Sequence, residues 1–325
     1  MVLLVLLGLS LSACVNLHVG SPAPCSIRVD PPEPLPLAAH PSRVRLLSWN
    51  LHGVPAAGPM QSRIARVAAV LRRLQPDLVL LQELWFDGDR GALAAALADL
   101  YIGVEDDPAV RSWLWPLLRL RNGGLAAFVR RGSIWRVDEH ASRFVRFAAS
   151  APVWRLTEGD GIAGKGYQTI VIANDLRRVT VINAHLQASY PRRGHPYDEV
   201  QRAQLHELLT AAEHTADDVI IAGDLNLDAE RLRHLAPPGW STRWSDVTEE
   251  FERGCRCGTH VSRSGRSGEW IDRVLVRTAG ARRIAPLSLR LIRNSATDCP
   301  YSDHHGVEVL VELPTARPKV PSGTR

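Results

Sequence analysis

The amino-acid sequence predicts an α/β fold, because short apolar runs of strand length alternate with segments of helical period. The runs at 78–81 and 219–222 are continuous, as in strands buried on both faces, and those at 44–49 and 179–184 are mostly apolar and β-leaning. Between the runs at 44–49 and 78–81, 62–74 repeats apolar residues at Ile64, Val67, Ala68, Leu71 and Leu74, with Arg63, Arg66, Arg72 and Arg73 expected on the wet side of a helix. The third observation is where the runs stop. Each ends at a polar side chain able to hold a metal or move a proton, and strand ends in α/β sheets gather at one rim, where sites are built.

The chain of 325 residues is 45% apolar, enough for one large core, and carries a formal charge of +5, a mild basic excess compatible with phosphate-bearing partners. Nearly all of that charge is arginine, Lys165 and Lys319 being the lysines. Residues 2–11 are apolar apart from Gly8 and Ser10, too short to span a bilayer as a helix. They run into Leu11-Ser12-Ala13-Cys14, which resembles the bacterial lipoprotein processing box. The resemblance implies cleavage before Cys14, acylation of that residue and a mature protein tethered to a membrane by acyl chains. No Lys or Arg precedes the apolar run, a departure from that pattern. Val15 carries no acidic retention signal, so the expected place is the cell envelope, the outer membrane favoured, with secretion as the alternative.

Residues 15–41 read as a proline-rich spacer, with Pro22, Pro24, Pro31, Pro32, Pro34, Pro36 and Pro41. A catalytic body is expected over 42–313 and a disordered tail over 314–325. In an exported chain Cys25, Cys255, Cys257 and Cys299 are free to form a disulfide, Cys299 with either Cys255 or Cys257. Cys-x-Cys with one distant cysteine lacks the usual spacing of a zinc site.

Within the body, the first run ends in Asn50, followed by Leu51-His52-Gly53. Pro76 stops the helix, and the second run ends in Gln82-Glu83. The third ends in His185-Leu186-Gln187. Asp198 with Gln201 has the spacing of a capping box opening a helix to about residue 212. The fourth run meets Gly223, expected to turn the backbone so that Asp224 and Asn226 project on one side. A strand at 270–276 carries Asp272, and Asp303-His304 precedes the alternation of Val307, Val309 and Val311. Singly, a strand-end Asn or Glu is most often a solvated turn residue, and a lone histidine a satisfied half-buried one. Their joint placement at strand ends is what points to chemistry.

Those segments resemble the endonuclease/exonuclease/phosphatase superfamily of metal-dependent phosphoesterases. The matching stretches are Ser48-Trp49-Asn50, Leu81-Gln82-Glu83, Asn183-Ala184-His185-Leu186, Gly223-Asp224-Leu225-Asn226, Ile271-Asp272-Arg273-Val274 and Ser302-Asp303-His304, in the family's order and across nearly the whole body. The resemblance implies a four-layer α/β sandwich, two mixed β-sheets packed face to face with helices on the outer faces. It implies Glu83 as the main Mg²⁺ ligand (Mn²⁺ or another divalent ion being chemically acceptable), with Asn50 and Asp303 in or beside its shell. Asp224 and Asn226 would position the attacking water and a phosphate oxygen, and Asn226 would touch substrate. His304, oriented by Asp272, would be the general base, and His185 would sit on the phosphoryl group. His52 stands where some nucleases carry an acidic residue.

Substrate class is less sharply written. Gln82-Glu83-Leu84-Trp85-Phe86, Asn122-Gly123-Gly124-Leu125-Ala126, Gly164-Lys165-Gly166-Tyr167 and His185-Leu186-Gln187-Ala188-Ser189-Tyr190 look like the neutral-sphingomyelinase branch, in which Lys165 would help hold phosphate. Trp113-Leu114-Trp115-Pro116-Leu117-Leu118, between Arg111 and Arg119, is either a bilayer-contacting loop or, the favoured reading, packed chain. The expected activity is a phospholipase-C-type phosphodiesterase on a phospholipid headgroup. The alternatives are a deoxyribonuclease-I-like endonuclease, an inositol-phosphate-type phosphatase and a catalytically silent binding lipoprotein. No obligate protein partner is evident.

Overall fold

The computed structural model describes residues 40–54, 60–104, 122–152, 163–189, 194, 196–254, 258–261, 268–278, 284–292 and 302–313. The acylation candidate Cys14, the spacer, the Trp113 cluster, Cys25, Cys255, Cys257, Cys299 and the tail lie outside the described residues.

One sheet contains β1 (Arg43–Asn50), β2 (Leu78–Gln82), β3 (Tyr101–Gly103), β4 (Ala126–Arg130), β11 (Ala285–Ile292) and β12 (Gly306–Glu312), in the order β11-β12-β1-β2-β4-β3. The other contains β5 (Arg136–Arg146), β6 (Gly166–Asn174), β7 (Arg177–His185), β8 (Asp218–Asp224), β9 (Trp244–Asp246) and β10 (Asp272–Arg277), in the order β5-β6-β7-β8-β10-β9. Each sheet has one parallel pair at its centre, β1/β2 and β7/β8, and antiparallel neighbours around it. A parallel pair needs a crossover, supplied here by α1 (Gln61–Leu74) and α3 (Asp198–Glu213). Further helices among the described residues are α2 (Asp87–Leu97), α4 (Ala229–Leu235) and α5 (Glu249–Gly254).

Side-chain alternation with period two divides the apolar residues among three layers of contact. Val44, Leu46, Leu78 and Leu80 of the first sheet meet Val179, Val181, Ile220, Ala222, Val274 and Val276 of the second. The alternate residues Leu47, Val79 and Leu81 face outward onto Val67, Leu71 and Leu74 of α1 and Leu93 and Leu97 of α2. On the far side Ile182, Val219, Ile221 and Leu275 pack on Leu205, Leu208 and Leu209 of α3 and Leu232 and Leu235 of α4. The result is the four-layer α/β sandwich with two mixed sheets. Because strands of both sheets are covered on both faces, Leu78-Val79-Leu80-Leu81 is apolar throughout.

The same period two carries the site. Along the face between the sheets the apolar residues give way to Ser48 and Asn50 after Leu46, Gln82 after Leu80, Asn183 and His185 after Val181, Asp224 after Ala222, and Asp272 before Val274. The inner layer changes from hydrocarbon to polar at one end of the sandwich.

Three sequence expectations are corrected. Strand β8 does not turn at Gly223 but runs through it to Asp224. Glycine is required there because an added Cβ would lie 1.9 Å from the Ala184 carbonyl oxygen, on the adjoining parallel strand. Arg63 and Arg66 are buried, not on the wet side, since Arg63 donates to the carbonyl oxygens of Leu51 (2.7 Å) and His52 (2.9 Å) and so satisfies the chain leaving β1. The Asp198/Gln201 capping box does not form. Asp198 instead accepts from Ser189 Oγ and Arg231, and Gln201 turns inward to donate to the carbonyls of Gln187 and Asn226.

Two glycine substitutions should separate close approach from mere helix weakness. Gly223→Ala should lower stability by about 3 kcal/mol, the range of a core overpacking change. Gly91→Ala, at an exposed α2 position with nothing within 4 Å of the new methyl, should raise it by about 0.5–1 kcal/mol. Urea unfolding of the two variants reads both effects.

Candidate active site

The floor of the polar end is a pair of buried amides. Gln82 Nε2 donates to Asn183 Oδ1 across the sheets at 2.7 Å and to Ser48 Oγ at 3.2 Å. Asn183 Nδ2 donates to the carbonyls of Leu81 and Ala126, each at 3.1 Å. These residues close the hydrocarbon core off from the chemistry above. Sequence reasoning gave them no role, although a polar residue on the inward face at the end of β2 and one alternate short of the end of β7 was the available signal.

Above them Asn50 Nδ2 donates to Glu83 Oε1 (3.0 Å) and to Asp224 Oδ2 (2.8 Å), tying the two sheets together. Its Oδ1 is taken by the His52 backbone N–H at 2.9 Å, so Asn50 orients the two carboxylates through its amide nitrogen. Glu83, His52 and Asn226 all sit at positive φ (57°, 48° and 52°), a conformation non-glycine residues adopt sparingly. These three strained positions follow strand ends, where the chain is bent to bring a side chain into the cleft. Asn226 is held by its N–H on Asp224 Oδ1 (3.0 Å) and its Nδ2 on the Leu186 carbonyl (3.1 Å).

His304 occupies the opposite wall. Its Nδ1 pairs with Asp272 Oδ2 at 2.8 Å, and its backbone is fixed by Ser302 Oγ on its N–H and Trp49 Nε1 on its carbonyl. Asp272 is held in turn by its N–H on Thr259 Oγ1. The free edge of the His304 ring, Nε2, faces Asp224 Oδ2 at 3.7 Å. On the other side of that oxygen lies His185 Nε2 at 3.6 Å.

Lys165 reaches the same spot. Its Nζ donates to His185 Nε2 and to the Leu186 carbonyl, both at 2.9 Å. That bond makes Nε2 the acceptor and leaves the proton on Nδ1, a buried donor with no described partner. The Trp85 ring stands 6.2 Å from the His185 ring. Gly124 permits this packing: at φ 66° it is left-handed, and an added Cβ would come within 2.8 Å of the indole.

The structure therefore gathers Asn50, Glu83, Lys165, His185, Asp224, Asn226, Asp272 and His304 at one end of the sandwich. Asp303 stands at the rim, its Oδ2 3.1 Å from His52 Nδ1 and its Oδ1 4.0 Å from His304 Nε2. Thr259 and Ser302, which fix Asp272 and His304, were not foreseen as supports.

Electrostatics divide the two imidazoles. Burial, then Lys165 and His304, push His185 well below the ordinary imidazole value, so it is neutral. Burial acts in the same direction on His304 but is outweighed by Asp272, Asp224 and Asp303, which lift it to about 10. Burial raises Asp224 to about 7 against the opposing pull of His304, while Asp272 adds to the rise. Glu83, Asp224, Asp272 and Asp303 lie around a space that Lys165 and His304 also reach. Glu83, His185 and Asp224 each offer a ligand atom within 4.8 Å of the others. Carboxylate oxygens beside a carboxylate that burial has driven toward protonation are the donor set a hard divalent cation would fit.

With the geometry in place, the comparisons with known proteins decide the family. The model of the "Endonuclease/Exonuclease/phosphatase family" matches residues 47–304, most of the chain. The chain belongs to this family. As a family member it is 26% identical over 194 residues to sphingomyelin phosphodiesterase 2 of Homo sapiens, covering 58% of this chain and 42% of that protein. The chain thus spans less than half the length of that relative. Among solved structures, TDP2 of D. rerio complexed with single strand DNA product superposes with a TM-score of 0.62 at 20% identity, covering 84% of this chain and 100% of the other. Sphingomyelinase C from Streptomyces griseocarneus does so with a TM-score of 0.53 at 19% identity, covering 84% and 99%. Both likenesses show the fold.

The raised His304 makes a prediction about stability. A group whose folded value exceeds its unfolded one contributes stability fully present below the unfolded value and lost as pH rises through the folded value. In chelator, the His304 contribution is therefore complete below about pH 6.5 and fades toward pH 10. Urea midpoints across that window should fall, and His304→Gln should remove the fall; a slope indifferent to that substitution contradicts the assignment.

Proposed function

We propose that this chain is a divalent-cation-dependent phosphodiester hydrolase of the phospholipase C type, acting on the phosphate link of a sphingolipid headgroup. One observation carries the reading: two imidazoles of opposite proton affinity flank Asp224 Oδ2 at 3.6 and 3.7 Å. Environments that drive two titratable groups apart mark an acid and a base. At those separations an oxygen lying off the direct line comes within reach of both a ring nitrogen and the carboxylate.

Glu83 and Asp224 would hold Mg²⁺, oriented by Asn50, and the ion supplies charge neutralisation at the phosphate and a counter-charge to Asp224. The remaining work falls to the chain's own groups. Asp224 and Asn226 position the attacking water. His304 accepts its proton at Nε2, the Asp272 carboxylate stabilising the imidazolium that results. Its affinity for a proton is raised by Asp272, then Asp224 and Asp303, so a counter-charge beside Asp224 would lower it. His185 stays neutral beside the Lys165 ammonium, and the two together stand beside the place of the phosphoryl group. Lys165 fixes the His185 tautomer, a more specific task than holding phosphate.

The sphingolipid preference is supported by the human relative's name and by the Lys165 pairing with His185. An N-terminal acyl anchor on Cys14 in the cell envelope would place the domain beside lipid, which is part of the same proposal.

Labelled sphingomyelin vesicles and plasmid DNA should be assayed side by side with Mg²⁺. Headgroup release without nicking is expected; nicking without lipid cleavage selects a deoxyribonuclease-like activity in its place, and the absence of both activities overturns the proposal. EDTA should abolish turnover. His304→Ala should reduce kcat about 1,000-fold with the fold retained, Glu83→Gln should raise the Mg²⁺ requirement, and Lys165→Met should cut kcat about 100-fold. An undiminished kcat for His304→Ala would remove that residue from the mechanism.

A further inference from the structure

The cleft holds a histidine for which hydrolysis has no task. His260 lies on the short stretch that also supplies Thr259, and it pairs with His304 in an isolated β-bridge. Its backbone is pinned by its own N–H on the Glu269 carbonyl (3.2 Å) and by its carbonyl on the Gly268 N–H (2.7 Å). The half-buried ring stands edge-on to the His304 ring, centroids 5.3 Å apart. Among the described residues no hydrogen bond engages that ring, and burial, then the neighbouring His304, keep it below the ordinary imidazole value. A neutral imidazole with a free nitrogen lone pair is a metal ligand in waiting.

Its neighbours complete a donor set. A ring nitrogen of His260, a carboxylate oxygen of Asp303 and a ring nitrogen of His304 lie within 4.8 Å of one another. Asp272 occupies Nδ1 of His304, so the nitrogen on offer is Nε2, 4.0 Å from Asp303 Oδ1. His52 brings a further imidazole, Nδ1 3.1 Å from the other Asp303 oxygen, on a side chain one-third exposed. Ligands about 2.0–2.2 Å from a tetrahedral ion stand roughly 3.3–3.6 Å apart, so small rotations would bring the His260, Asp303 and His304 atoms to that spacing, with His52 reaching the group through Asp303. Three imidazoles and one carboxylate match the preferences of Zn²⁺ and its neighbours, where Mg²⁺ asks for oxygen. This set shares no residue with the Glu83, His185 and Asp224 group.

We propose that His260, His304 and Asp303, with His52 as fourth donor, bind a transition ion of the Zn²⁺ class, and that this ion switches hydrolysis off by occupying the His304 Nε2 lone pair. The ion displaces any proton on that nitrogen and leaves nothing there to accept one from the attacking water. The inhibitory half rests on the role given to His304 above; the binding half does not.

The test uses the full chain, stripped of metal and then saturated with Mg²⁺, with Zn²⁺ titrated against a chromophoric chelator. One tight Zn²⁺ per chain is expected despite excess Mg²⁺. His260→Gln and His52→Gln should each weaken it about ten-fold or more, at least the loss seen when groups supporting a ligand are removed. Co²⁺ in place of Zn²⁺ should give the visible bands of a four-coordinate nitrogen and oxygen site, reduced in His260→Gln. At matching concentrations Zn²⁺ should inhibit hydrolysis, raising Mg²⁺ should not restore it, and His260→Gln should be correspondingly resistant. No Zn²⁺ uptake in excess Mg²⁺, equal affinity in His260→Gln, or full uptake with hydrolysis unimpaired would each overturn the proposal. A parent protein that cleaves no phosphodiester refutes the proposed function, while the chelator titration still decides the ion site.

Discussion

The carboxylate of Asp224 is the constraint on which the cleft depends. It is 2% exposed, at the last residue of β8, and both of its oxygens are committed. Oδ1 holds the Asn226 N–H, and Oδ2 takes the Asn50 amide while standing between two imidazole nitrogens. A buried carboxylate so placed is expensive unless cations or donors surround it. Asn50 joins it to Glu83 across the sheets, and Lys165 and His304 supply positive charge from either side. Each surrounding group has its own support: Asp272 on His304, Leu186 on Lys165, Gln201 behind the Asn226 carbonyl.

The fold supplies this arrangement cheaply in sequence terms. Two sheets, each with a central parallel pair closed by a helix, place the ends of β1, β2, β7 and β8 together. Alternation along each strand assigns one residue in two to the space between the sheets, and replacing the last of these by polar side chains turns core into site without altering the register. The Gln82/Asn183 bridge is the boundary. Close backbone contact at Gly223 lets β8 lie against Ala184 so that Asp224 is presented beside His185, its partner in the ladder.

That logic explains what the sequence disclosed. Asn50, Glu83, His185 and Asp224 were legible because each ends a run whose burial is written in its apolar residues, and Asp272 and His304 because they adjoin such runs. The pairing of Lys165 with His185 was not legible, since it follows from the β6/β7 register that sets Tyr167 opposite Ala184, and register is a property of two strands. The amphipathic pattern of α1 put Arg63 in water because a helical wheel contains no information about the chain leaving β1, whose carbonyls that side chain meets. Edge strands such as β5, in which Phe144 alone is buried, carry too little apolar alternation to announce themselves. His260 escaped notice because an irregular segment places it, and only its bridge to His304 makes it part of the cleft.

The carboxylates of Asp272, Asp224 and Asp303 hold His304 above the ordinary imidazole value, burial with Lys165 and His304 holds His185 below it, and a divalent cation beside Asp224 would lower His304. NMR titration of the His185 and His304 ring resonances, in chelator and then in Mg²⁺, reads this directly. His185 should be neutral throughout, and the His304 value should begin well above that of a free imidazole and drop when Mg²⁺ is added. A His304 value near 6.5 in chelator, or one that Mg²⁺ leaves unmoved, would contradict this.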